Sequence, residues 1–255
     1  MGLIINSYRF VSSTPFSDDT GLKAYWKFNE TSGDIINVSE SGVDLGSAAN
    51  LQVTGATYNQ SGITDLNYSM LFDGTNDFAV AGSSVSQFNF LHNDSYEFTI
   101  AFWGKILDWS SLGMILSTAD ELASAYTGLG IRSQSSGSIY FHFANGTNQN
   151  RFTGSISGFN TDGEFHFYVV TGKKSDSTNS LEIWEDGSSM GTASNSGKDF
   201  VDTNASRPAN IAYSGATGAS QYLNANIEEF SVWSRRLSDS EIAELYNSGD
   251  GLAIY

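Results

Sequence analysis

Apolar and polar residues alternate along most of this chain in short runs that end in glycine, serine or asparagine. Leu22 to Glu30 sets Trp26 and Phe28 on one face and Tyr25 and Lys27 on the other, the period-two spacing of a half-buried strand. Phe98, Ile100 and Phe102 alternate in the same way between Glu97 and Lys105. Further strand-like runs fall at 113–118, 127–133, 138–144, 209–213 and 226–233. Residues 70–80 read as a hairpin about Asp73-Gly74, and Asp186-Gly187 as the turn closing 164–171 on 181–185. Helical periodicity is confined to 238–247, which opens on Ser238 and Glu241, the spacing of a capping box. These patterns predict an all-β fold of two packed antiparallel sheets with one short C-terminal helix. Trp26, Phe28, Phe72, Phe98, Ile100, Phe102, Phe230 and Val232 are the expected core between the sheets.

Several blocks resemble, in order, those of the laminin-G-like jelly rolls of the concanavalin A-like lectin and glucanase superfamily. Ala24 to Glu30 is similar to the opening strand, Leu71 to Asp77 to the second block, and Phe98 to Trp103 to the strand ending in a core tryptophan. Gly163 to Val170 occupies the place of a Trp-His-His-Val-Ala block, and Ile183 to Gly187 that of Leu-Tyr-Val-Asp-Gly. The closing strand and helix, from Asn226 to Tyr246, resemble the C-terminal signature. Phe165, Phe167 and Glu228 depart from the residues usual in the family. The resemblance implies a jelly-roll sandwich over residues 21–255, preceded by an N-terminal arm at 1–20.

Composition agrees with many short strands joined by tight turns: 26 Gly and only 2 Pro in 255 residues, with 13% aromatics. A formal charge of −16 excludes a phosphate-binding surface of clustered Lys and Arg, so no nucleic-acid partner is expected. Cysteine is absent, which removes disulfides and thiolate metal sites. No run approaches the ~20 apolar residues of a membrane helix, and the first residues lack the pattern of a signal peptide.

Catalytic chemistry finds no support in these spacings. The superfamily's hydrolases place an acid and a nucleophile on one strand face, as the two roles in glycoside cleavage demand. Here Glu182 and Glu185 differ by three and Glu228 and Glu229 by one, so a regular strand sends each pair to opposite faces. His92, His142 and His166 are not paired at metal-ligand spacing, and His142 and His166 are expected on sheet faces. No catalytic residue is therefore assigned.

Two binding sites are expected. Relatives often hold a structural calcium where first and last strands meet, which implies Glu30 and Glu228 as metal ligands here, with oxygen donors suited to a hard cation. Glycan recognition needs aromatic faces beside Asn, Asp or Gly groups. Trp109, Tyr126, Tyr213 and Tyr222 fall outside the core alternation and are the candidate glycan-binding residues.

The arm carries its own apolar pattern in Ile4, Ile5, Tyr8 and Phe10, and could pair with this sandwich or with a neighbouring subunit. An acidic surface without an export signal is expected of a non-catalytic virion surface protein, made in a host cytoplasm and decorating a bacteriophage head or tail. Its partners would be other virion proteins, in an assembly or homo-oligomer, and glycans. A stand-alone lectin or adhesion module and a polysaccharide hydrolase or lyase are the alternatives.

Overall fold

The computed structural model describes residues 16, 18–39, 45–63, 68–82, 84–108, 113–119, 127–133, 138–147, 149–152 (backbone), 158–195, 200–215 and 221–255. Among them are fifteen strands: β1 Leu22–Trp26, β2 Leu51–Thr54, β3 Thr57–Ser61, β4 Tyr68–Asp73, β5 Phe78–Ala81, β6 Glu97–Asp108, β7 Met114–Ser117, β8 Thr127–Ser133, β9 Ile139–Asn145, β10 Gln149–Phe152, β11 His166–Lys173, β12 Leu181–Glu185, β13 Ser188–Ala193, β14 Ala209–Ile211 and β15 Asn224–Trp233. One α-helix follows, α1 Asp239–Tyr246.

The strands form two antiparallel sheets. The first runs β13-β12-β11-β6-β15-β4-β3, and the second β10-β9-β8-β7-β14-β5-β2. Strand β15 organises the first sheet. Its one edge pairs with β6, while the other is shared between β4 at 224–227 and β1 at 230–233. All eight residues expected between the sheets are fully buried in one interior cluster. Trp26 and Phe28 reach it although β1 ends at Trp26, because Phe28 takes a left-handed φ of 60°. The face carrying these two rings is therefore not prolonged as a strand to Glu30.

Two turn readings are corrected. Strands β4 and β5 lie in different sheets, so 70–80 is a corner and not a hairpin. Gly74 (φ +76°) makes that corner against β15, where a Cβ would stand 2.9 Å from Asn224 Cβ. Asp186-Gly187 has positive φ at both residues, 51° and 72°, the type I′ requirement, but it joins β12 to β13. Strands β11 and β12 are joined instead through 174–180.

A second apolar cluster covers the outer face of the first sheet. Tyr25, Trp103, Phe167 and Trp233 project outward there and meet Leu237, Ile242, Leu245 and Ile254. Ser238 Oγ accepts the Glu241 amide, and the Glu241 carboxylate accepts the Ser238 amide at 2.7 Å, so α1 begins on the expected capping box. Burial of Ile242 and Leu245 then holds the helix, at ~1.5–3 kcal/mol for each such side chain. The end of the arm joins the same surface. Phe16 packs edge-on to Trp233 with ring centroids 5.5 Å apart, and its amide donates to Ala253 O at 3.2 Å. Ile4, Ile5, Tyr8 and Phe10 of the arm lie outside the described residues.

Candidate functional site

Tyr213 and Tyr222, two of the four expected glycan residues, are brought together. They form an isolated antiparallel bridge, with rings 4.6 Å apart and inclined by only 10°. The local backbone forces this meeting. Just after β14, Ala212 takes φ 64°, donates its amide to Ile115 O and accepts the Leu223 amide at 2.9 Å. Phe78, which opens β5, adds a third ring 5.3 Å from Tyr213. Parallel rings at this spacing shield their facing surfaces from each other, so a sugar can stack only on the outward side of the pair. All three rings are half-buried. Polar groups stand beside them: Asn224, two residues beyond Tyr222, lies between Asp73 and Asp108 in the sheet register.

Trp109 and Tyr126 lie outside the described residues. Strand β6 ends at Asp108 opposite Asn224, at the end of the sandwich that carries the tyrosine pair. Strand β8 starts at Thr127, beside Thr118 and Ser206, whereas Tyr213 sits level with Met114 at the other end of the neighbouring strands. Thr127 thus lies at the opposite end.

Glu30 and Glu228 are each seated on a backbone amide. Glu30 Oε1 accepts from Ile36 N at 2.9 Å, and Glu228 Oε1 from Ile63 N at 2.6 Å. The Oε2 atom of each is buried and, among the described residues, accepts no hydrogen bond. The faces differ from the strand alternation, because the register of β15 shifts between Glu228 and Ser231. Ile227 and Phe230 both enter the interior cluster, while Glu228 stands opposite Trp103 on the outer face. Glu229, with φ 51°, is also turned outward. It accepts the Tyr25 hydroxyl and lines a cavity of about 10 Å³ with Trp103, Phe167, Leu252 and Ile254. The two carboxylates therefore share one side, contrary to the expectation of divergence. That cavity has room for about one water and none for a sugar ring. Burial pushes Glu228 up to about 7, with the charge of Glu229 adding to it, and burial pushes Glu229 up to about 7 against the pull of Tyr25 and Lys27.

His142 is buried on β9, packed over Gly130, where a Cβ would come within 2.2 Å of its ring. His92 is buried as well, with Nε2 3.0 Å from Thr203 O, and burial lowers its pKa. His166 is not a plain sheet-face residue. It opens β11 beside the end of β12, where Asp186 Oδ2 lies 2.7 Å and Glu185 Oε1 3.5 Å from its Nδ1. Asp162 faces Nε2 with both oxygens at 3.3 Å. Burial disfavours the imidazolium, but the hydrogen bonds to Asp186 and Asp162 and the nearby charges outweigh it, and the pKa rises. Burial likewise raises Glu185, its carboxylate held down in part by His166. The separation of about twenty residues hid this cluster. The register that sets Tyr168 opposite Glu185 is what brings the two segments together. Glu182 turns away to Arg236 and Ser189.

A family model described as Laminin_G_3, concanavalin A-like lectin/glucanases superfamily, matches residues 73–243. No curated protein matches the chain significantly. Among solved structures, Trypanosoma rangeli sialidase is similar with a TM-score of 0.60 at 16% identity, over 92% of this chain and 34% of that one. The binding domain of Paraclostridial Mosquitocidal Protein 1 aligns with a TM-score of 0.60 at 16% identity, over 91% and 53%. The Botulinum neurotoxin serotype D binding domain aligns with a TM-score of 0.57 at 13% identity, over 91% and 51%. The chain thus spans about a third of the sialidase and about half of each toxin domain. Identities this low show the shared fold.

Proposed function

Because this chain belongs to the concanavalin A-like lectin/glucanases superfamily, we propose that it is a non-catalytic glycan-binding module, reading sugars at the end of the sandwich that carries Phe78, Tyr213 and Tyr222. The observation that carries this reading is the parallel tyrosine pair. An aromatic surface stiffened by its own stacking can take a sugar ring with little loss of side-chain freedom, and Asn224 beside it offers amide groups to hydroxyls. The net charge of −16 repels anionic glycans, so neutral hexoses are the ligand class. The binding domains among the similar folds support a binding role. The full burial of Glu228, and the half-buried Glu229 beside a cavity too small for a sugar ring, support the absence of hydrolysis. Screening the chain against immobilised neutral oligosaccharides, then titrating the best ligand into the Tyr222→Ala variant, tests the site. Affinity should fall about tenfold, the equivalent of ~1.4 kcal/mol; unchanged affinity in a folded variant would move the site elsewhere.

The virion-surface role is proposed alongside, with residues 1–20 fastening the module to other virion proteins or to copies of itself. The acidic composition and the apolar arm pattern support it. Co-sedimentation with particles, lost on removing residues 2–15, is the test.

A further inference from the structure

We infer that His166, Glu185 and Asp186 form a binding site for a borderline divalent cation of the zinc type. Nδ1 of His166 and one carboxylate oxygen from each acidic residue lie within 4.8 Å of one another. With bonds of ~2.0–2.1 Å, a tetrahedral ion needs donors about 3.3 Å apart. The separations of 2.7 and 3.5 Å from Nδ1 straddle that value, so small side-chain rotations suffice. Three protein donors, one of them nitrogen, leave a fourth position for water or a ligand group.

The atoms that would not touch the ion are already held. Asp162 faces Nε2, which places the ring proton there and turns the Nδ1 lone pair toward the two carboxylates. Asp186 Oδ1 accepts the Phe167 amide at 2.9 Å. A lone pair aimed at two carboxylates is repulsive unless a proton or a cation lies between them. Among the described residues, the ion pairs of Asp162, Glu185 and Asp186 all run to His166. Three carboxylates against one imidazole leave the cluster net negative even when the ring is charged, which favours a divalent ion. The three ligand side chains are 13, 20 and 34% exposed, so a hydrated ion can reach them. Binding replaces a proton on Nδ1. The nitrogen donor selects against calcium, whose ligands are oxygens.

The experiment is calorimetric titration of zinc chloride into the chelator-treated full chain, in the presence of millimolar calcium, with cobalt substitution read by visible absorption. The expected result is saturable one-to-one binding and a four-coordinate cobalt spectrum, both abolished in Glu185→Gln and in His166→Gln. Asp162→Asn should weaken binding about 10–100-fold by loosening the ring. Circular dichroism of each metal-free variant reports its fold. Should His166→Gln fail to fold, Glu185→Gln, altered at a partly exposed residue, carries the decision. Absence of saturable binding, or binding that survives in folded Glu185→Gln, would overturn the proposal and leave the cluster as an imidazolium–carboxylate network that fixes β11 to β12.

Discussion

Replacing Glu228 with glutamine should change stability relative to the parent more favourably at pH 8 than at pH 4.5. Glu228 is fully buried, accepts the Ile63 amide at Oε1 and, among the described residues, has no donor to Oε2. Its pKa of about 7, against an ordinary 4.5, means that the folded state keeps a proton the unfolded chain surrenders. The raised folded pKa therefore contributes stability that is complete below 4.5 and lost as pH rises through 7. Above 7 the burial of the charge costs 2.5 units at ~1.36 kcal/mol each, or about 3 kcal/mol. Glutamine keeps the acceptor for Ile63 and cannot ionise, so the variant escapes that loss. Its amide group brings donors to a site without partners, at a cost of ~1–3 kcal/mol that is the same at every pH. The informative quantity is thus the difference between pH 4.5 and pH 8, from which the fixed cost cancels. Urea unfolding followed by tryptophan fluorescence, with Trp103 opposite Glu228, should give a variant-minus-parent stability about 3 kcal/mol more favourable at pH 8. With chelator present throughout, equal differences at the two pH values would refute the reasoning, and a larger destabilisation at pH 8 would mean that the carboxylate is held ionised.

Removing the Ser238 hydroxyl by alanine should cost ~1 kcal/mol through loss of the helix cap, read as a lower urea midpoint with an unchanged slope. If calcium links Glu30 and Glu228, millimolar calcium should raise the melting temperature and chelator lower it, with Glu30→Gln abolishing the difference; a midpoint insensitive to both would remove the ion. No reducing sugar should be released from β-glucans, galactans or alginate on prolonged incubation, and turnover abolished by changing a single carboxylate would defeat the non-catalytic reading.

Long apolar alternations made the core legible. Trp26, Phe72, Phe98, Ile100, Phe102 and Val232 recur at period two in segments long enough to outweigh accident, and burial of such rings dominates sheet packing. The strands that escaped notice are the short polar ones at sheet edges. Strand β3, Thr57–Ser61, alternates between exposed and half-buried and carries no apolar face to betray it, while β13, Ser188–Ala193, ends in small residues. The two misread turns had the right glycine for tight geometry but the wrong neighbour. Local φ preferences say that a chain turns, and long-range pairing alone says which strands the turn joins.

The site fared differently for the same reason. Tyr213 and Tyr222 stood out because neither fits a core alternation, yet their stacking depends on the left-handed Ala212 and on bridging across residues 214–221, which no local rule specifies. His166 looked inert because its partners are about twenty residues away. A hairpin register would have found them: once Tyr168 faces Glu185 in β11 and β12, His166 must meet the turn at Asp186. Glu228 and Glu229 show the limit of period-two reasoning most plainly. Adjacent residues diverge only while the strand is regular, and the shift in β15 turns two carboxylates to one side, beneath the C-terminal tail. The cavity beside Glu229 leaves no room for a substrate, and burial, which raises the pKa of both acids, makes them a pH-sensitive element of the fold.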